Sequence, residues 1–194
     1  MNRAVFLDRD GTVTEEVGYL KDISLLRLIP NAGTAIRTLN ESGFKVILVT
    51  NQSGVARGFF PEALVHEAHE QLKNMLQLEG AHLDGIYHCP HHPTAGTSRY
   101  TMMCDCRKPS IGLIERAARD LSLDVKRSYV VGDKWSDVEL GHRAGAFSVL
   151  VMSGYAADDP GNIRPPEVRD PAFTARDIFE AAAWIIRHAQ ADEG

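Results

Sequence analysis

Short hydrophobic runs separated by amphipathic stretches decide what this chain can fold into. Val5–Leu7, Val46–Val49 and Tyr129–Val131 are hydrophobic at every position, the pattern of strands buried on both faces. Between them the period changes to that of helices. Pro30–Glu41 carries Ala32, Ile36 and Leu39 at helical spacing, and Ser110–Leu121 carries Ile111, Ile114, Ala118 and Leu121 on one stripe. Pro61 opens a long helix to about Glu79, and Gly43 breaks the one before it. Ile86–His88 and Phe147–Val151 read as further strands, with helices over Val138–Ala144 and Ala175–Ala189. Such alternation predicts an α/β fold, a mainly parallel sheet with helices on both faces. At 194 residues the expectation is a single domain, 1–194. Asp84–Pro109 is the one long irregular connection, and long loops of this kind are usually functional.

In open parallel sheets ligands bind beyond the carboxyl ends of the strands, and the polar signatures fall there. Asp8-Arg9-Asp10-Gly11-Thr12 follows the first strand, Thr50-Asn51-Gln52-Ser53-Gly54 the second, and Gly132-Asp133 a later one. Alternation along a strand aims Asp8 and Asp10 at a common point. Two such carboxylates repel unless a cation separates them or one keeps its proton. The pair therefore reads as a divalent-metal site, as a nucleophile beside a general acid, or as both. A polar turn uses the same residues. Thr50, Asn51, Gln52 and Ser53 could cradle a phosphate through hydroxyl, amide and backbone N–H groups, or form an ordinary turn. Arg107-Lys108 supplies cations for phosphate oxygens, or is a solvated pair. Asp133 could complete a magnesium site. Asp137, one turn further on, could orient Lys134 or a water, or serve as a first-turn helix acid.

The irregular connection holds all three cysteines. Cys89, His91, Cys104 and Cys106 form a C-x-H-x12-C-x-C pattern. Three thiolates and an imidazole complete a tetrahedral zinc shell with no open position, the signature of a structural site. His88 and His92 compete for the imidazole position, and the C-x-H spacing favours His91. Unrelated buried thiols are the alternative. Three clustered cysteines argue against a disulfide framework and for a reducing compartment. With no room for a signal peptide before the first strand, the expected location is cytoplasmic. No apolar run reaches the length of a membrane span. A net charge of -5 gives no support to a broad basic surface for nucleic acid.

In this order, the four polar signatures resemble the haloacid dehalogenase superfamily of phosphohydrolases. The resemblance spans Val5 to about Val151 and implies a Rossmann-like core. It implies Asp8 as nucleophile, Asp10 as general acid and base, and Thr50 and Lys108 as stabilisers of the transferring phosphoryl group. Asp8, the backbone carbonyl of Asp10, and Asp133 would bind Mg²⁺. The Cys/His loop, about 84–109, is similar to that of the superfamily's histidinol-phosphate phosphatase-like branch, which includes phosphatases of a heptose 1,7-bisphosphate and of histidinol phosphate. The segment between His91 and Cys104 has the length of the heptose form. This implies a monomeric enzyme without a large cap domain that removes the C7 phosphate of a small sugar bisphosphate through an aspartyl phosphate. Glu16, Val17, Gly18 and Tyr19 would contact the sugar, Arg107 the second phosphate, and Lys134 the reacting one. The alternatives are the same chemistry on histidinol phosphate, or a non-catalytic zinc module that binds a partner; a nucleic-acid 3′-phosphatase fits poorly with the acidic balance. Thr94–Met103 and Pro160–Pro171 follow no pattern that assigns them a role.

Overall fold

The structure, a computed structural model, describes residues 1–96, 99–154 and 162–191. Six strands form one sheet: β1 (Ala4–Leu7), β2 (Lys45–Asn51), β3 (Gly85–Cys89), β4 (Tyr129–Gly132), β5 (Phe147–Val151) and β6 (Phe173–Ala175). All pair in parallel in the order β3-β2-β1-β4-β5-β6. The chain winds outward one way from β1 and then the other way from β4, so the switch point lies between these two strands. A crevice opens at such a point beyond the carboxyl ends. Asp8 leaves β1 and Asp133 leaves β4, which puts both acids at its floor.

The hydrophobic runs explain the layers. Along β1, Val5 and Leu7 enter one apolar cluster and Ala4 and Phe6 another, all fully buried. The first cluster is covered by α1 (Ala32–Glu41), α2 (Glu62–Leu78) and α5 (Ile178–Ala191), through Ile36, Leu39, Leu72, Leu76 and Ile185. The second is covered by α3 (Gly112–Leu121) and α4 (Trp135–Ala144), through Leu113, Ile114, Ala117 and Leu140. Cys89 and Cys106 belong to this second cluster, so the irregular connection is rooted in the core.

Several element boundaries differ from the sequence expectation, each for a local reason. Ala175, expected to open the last helix, instead ends the short edge strand β6, and α5 begins at Ile178. Asp177 caps that helix, its carboxylate accepting from the Glu180 N–H at 2.9 Å. The α4 helix begins at Trp135, three residues earlier than expected, because the Asp137 carboxylate turns back to accept from the Lys134 N–H. The segment expected as a loop from Asp158 to Pro171 has neither helix nor strand over 162–171; residues 158–161 lie outside the described residues. Its Asn162 bridges the Asp133 carbonyl and the Trp135 N–H, at 3.1 and 3.0 Å, and so braces the end of β4. Among the described residues no helix is long and apolar enough to cross a membrane.

The α2 helix depends on its buried stripe. Leu72 is fully buried against the sheet, so Leu72→Ala should cost about 2–5 kcal/mol through lost transfer energy and a residual cavity. Urea unfolding of the two proteins measures this.

Candidate active site

The strand-end residues converge on a polar cavity of about 350 Å³. Asp8 and Asp10 come from the β1 turn, and Thr50, Asn51, Gln52 and Ser53 from the end of β2. Arg107 and Lys108 come from the Cys/His loop, Lys134 from the start of α4, and Glu16, Gly18 and Tyr19 from the segment after β1. Val17 is exposed and lies outside this lining. Asp133 is fully buried beneath it. Gly54, from the Thr50–Gly54 signature, and Ser136, from the stretch after β4, also line the cavity.

At the centre is a buried ammonium. Lys108 is only 4% exposed, and its Nζ meets Asp8 Oδ1 at 2.8 Å and Asp137 Oδ1 at 2.7 Å. It donates a third bond to the Val49 carbonyl at 3.0 Å. Burial alone would strip its proton, but Asp137 and Asp8 outweigh it and raise the Lys108 pKa. The backbone is held as firmly as the side chain. The Asn51 amide donates to the Lys108 carbonyl at 3.2 Å and accepts from the Lys108 N–H at 3.0 Å. Asp137 thus acts on Lys108 through its carboxylate and on Lys134 through the backbone N–H. Lys134 Nζ instead reaches toward Glu16 at 3.5 Å. Burial opposes its charge, but Asp8, Asp133 and Glu16 raise its pKa.

Asp10 has a different surrounding. Arg9 is 1% exposed and folds over its neighbour, with Nε and Nη2 donating to the two oxygens of Asp10 at 3.0 and 2.9 Å. Gln52 Nε2 adds a bond at 2.9 Å and also donates to Thr50 Oγ1 at 3.0 Å. Burial pushes the Asp10 pKa up, but the Arg9 charge and these bonds outweigh it, holding the group below its ordinary 3.8. Nothing in the sequence separates Arg9 from a surface arginine, because its position in the strand alternation points away from both acids.

One carboxylate oxygen from each of Asp8, Asp133 and Asp137 lies within 4.8 Å of the others. Hard oxygen donors of this kind suit Mg²⁺, although Asp137 is already engaged with Lys108. The side chain of Asp10 is turned to Arg9, which leaves its backbone carbonyl as the donor in the expected ligand set. Close packing keeps Asp133 in place: a Cβ on Gly11, whose φ is +80°, would stand 2.4 Å from Asp133 Oδ2.

The Cys/His set is equally compact. Its sulfurs are separated by 3.6 Å (Cys89–Cys104), 3.4 Å (Cys104–Cys106) and 3.1 Å (Cys89–Cys106). His91 Nδ1 lies 3.6 Å from Cys89 Sγ and 3.3 Å from Cys106 Sγ. A tetrahedron of ~2.3 Å zinc–sulfur bonds has edges near ~3.8 Å, so slight expansion would admit the ion. The competing histidines are engaged elsewhere. His92 meets Arg57 at 3.1 Å, and His88 meets Glu62 at 3.0 Å. The loop is joined to the cavity by Arg107, which donates to the His91 carbonyl at 3.1 Å.

The HAD-hydrolase-like family model matches residues 105–181. D-glycero-beta-D-manno-heptose-1,7-bisphosphate 7-phosphatase of Haemophilus ducreyi is 43% identical over 161 residues, covering 82% of this chain and 88% of the relative. D-glycero-D-manno-heptose-1,7-bisphosphate 7-phosphatase of Thermosynechococcus vestitus is 39% identical, covering 95% of this chain and 96% of the relative. The chain belongs to this phosphatase family. It is a phosphoric monoester hydrolase with the haloacid dehalogenase-like fold. The D,D-heptose 1,7-bisphosphate phosphatase of B. bronchiseptica, solved with magnesium and phosphate, superimposes with a TM-score of 0.82 at 28% identity, covering 96% of this chain and 99% of that one. A putative HAD-like phosphatase from Mesorhizobium loti gives 0.80 at 34% identity, with 98% and 87% covered.

Two outcomes follow for this phosphatase. Cys104→Ser should lose zinc, measured as metal content per chain after dialysis; full retention would defeat the four-ligand set. Arg9→Gln should raise the Asp10 pKa. In the parent protein the Asp10 contribution to stability is complete above the ordinary carboxylate value and lost as pH falls through the lowered one. In the variant the folded value moves up toward the unfolded one, so that loss should shrink, seen as a smaller fall in urea midpoint as pH drops below about 4.

Proposed function

We propose that this phosphatase removes the C7 phosphate of D-glycero-D-manno-heptose 1,7-bisphosphate. The observation that carries the chemistry is the Asp8–Lys108 pair, 2.8 Å apart on the floor of the polar cavity. The names of the Haemophilus and Thermosynechococcus relatives support the sugar. Asp8 attacks phosphorus as the P–O bond to C7 breaks, giving an aspartyl phosphate. Asp10, in its protonated form, gives the departing sugar oxygen its proton. The same carboxylate then takes a proton from the water that attacks the phosphoaspartate, releasing inorganic phosphate and restoring Asp8. For this Asp10 must turn from Arg9 and Gln52 toward the cavity.

Lys108 holds the phosphoryl oxygens as charge shifts toward the leaving group. The Thr50 hydroxyl and the backbone and side chains of Asn51, Gln52 and Ser53 complete the cradle. Lys134 assists from the opposite wall, tethered to Glu16. Arg107 offers a planar fork to the uncleaved phosphate at C1, and Glu16, Gly18 and Tyr19 face the sugar, Val17 lying outside the cavity. Asp8 and Asp133, with the Asp10 carbonyl, would hold Mg²⁺, which when bound supplies positive charge to the phosphate oxygens. Cys89, His91, Cys104 and Cys106 would hold Zn²⁺, with the role of fixing the Arg107–Lys108 loop. All of these groups come from one chain, so we read the working unit as a monomer.

Asp8→Asn should reduce phosphate release from the heptose bisphosphate to background while unfolding as the parent does. Substantial turnover in that variant would sink the covalent route. Assay of both anomers beside histidinol phosphate tests the substrate, and higher kcat/KM on histidinol phosphate would overturn the sugar assignment.

A further inference from the structure

One cluster of metal-binding side chains lies outside the catalytic cavity and the cysteine set. Glu62 and His66 stand one turn apart on α2 and meet His88 of β3. One donor atom from each lies within 4.8 Å of the other two. His88 Nε2 and Glu62 Oε1 are 3.0 Å apart, and the rings of His66 and His88 meet edge to face at 5.2 Å. The other carboxylate oxygen of Glu62 accepts from the Tyr100 hydroxyl at 2.7 Å. That is the relation by which outer groups orient a metal-binding carboxylate. Glu62, His66 and Tyr100 also line a cavity of about 600 Å³, which gives an ion a route in and leaves a coordination position facing solvent.

We propose that Glu62, His66 and His88 form a second transition-metal site, selective for an ion of the zinc class. Two imidazoles and one carboxylate suit such an ion better than Mg²⁺. Three protein donors with a fourth position left for water are the donor count of an open zinc site. His69 packs against the His88 ring at 5.5 Å. The site is separate from the cysteine set although His88 and Cys89 are adjacent. Successive strand side chains point to opposite faces: Cys89 enters the cluster under α3 and α4, while His88 faces α2. An ion there would take the place of the proton that His88 and Glu62 share, and would clamp α2 to the strand that pairs His88 with Thr50.

The test uses the full chain with its cysteine set filled with zinc and with saturating Mg²⁺ on the carboxylates. Calorimetric titration with Zn²⁺ should then show one further equivalent per chain. His66→Ala, a change at an exposed helix position, should remove that equivalent and leave phosphatase activity and cysteine-bound zinc unchanged. Tyr100→Phe should keep the site but weaken it by about 10-fold. Zinc-soaked crystals should give an anomalous peak between Glu62, His66 and His88. No further equivalent, an equivalent that survives His66→Ala, or a peak elsewhere would overturn the proposal.

Discussion

The geometry of the active site depends on one buried ammonium held between two carboxylates. Taking a charge of that size out of water costs several kcal/mol. Lys108 offsets this with all three of its N–H bonds, to Asp8, Asp137 and the Val49 carbonyl. The acids need it in turn. Asp8, Asp133 and Asp137 converge at the switch point of the sheet, and without a cation their mutual repulsion would force the β1 and β4 ends apart or protonate one of them. Lys134 shares the task from the side of Glu16. Four carboxylates around two lysines still leave an excess of negative charge, the electrostatic condition that a divalent ion satisfies.

The cysteine loop carries that ammonium. Lys108 belongs to no helix or strand, so its position must come from its neighbours. Cys106 lies two residues before it and is buried beside Cys89 under α3 and α4. Cys89 ends β3, and its carbonyl accepts from the Gln52 N–H at 2.7 Å. A metal across these thiols would therefore tie Lys108, the β2 end at Gln52 and the edge of the sheet into one rigid unit. The Asn51 amide closes the same circuit from the β2 side by gripping both backbone groups of Lys108. Reading Asn51 only as a phosphate contact would miss half of what it does.

Most of the sheet was legible because β1, β2 and β4 are buried on both faces and so carry unbroken hydrophobic runs. β6 was not, since Phe173–Ala175 is three residues on an edge and has no period to detect. The start of α5 was within reach: Asp177 followed three positions later by Glu180 is a capping signature that outweighs the apolar run around Ala175. The strand-end acids were legible from position, because three polar signatures at the same end of a sheet are unlike scattered turns. The partners of those acids were less so. Asp137 reads equally as a helix acid or a site residue, and it is both at once, capping Lys134 and pairing with Lys108. Arg9 escaped entirely. Strand alternation points it away from the acids, and only the turn at Gly11 and the depth of the site bring its guanidinium back over Asp10.

That last contact carries a consequence for the order of events. Asp8 and Asp10 are two residues apart yet face opposite cations, one in the cavity and one behind it. With its pKa held low by Arg9, Asp10 rests as a carboxylate at neutral pH, which is the form that activates water and not the form that protonates a leaving oxygen. In the mechanism we propose, acting first as an acid requires that it leave the guanidinium and gain a proton beside the incoming phosphate. A dianionic phosphate next to Asp10 raises the carboxyl pKa by like-charge repulsion, in the same direction that burial already pushes it. Substrate arrival thus supplies the energy that the Arg9 clamp opposes. In the proposed route the proton then passes to the leaving oxygen, and the carboxylate left behind is the form that can take a proton from water.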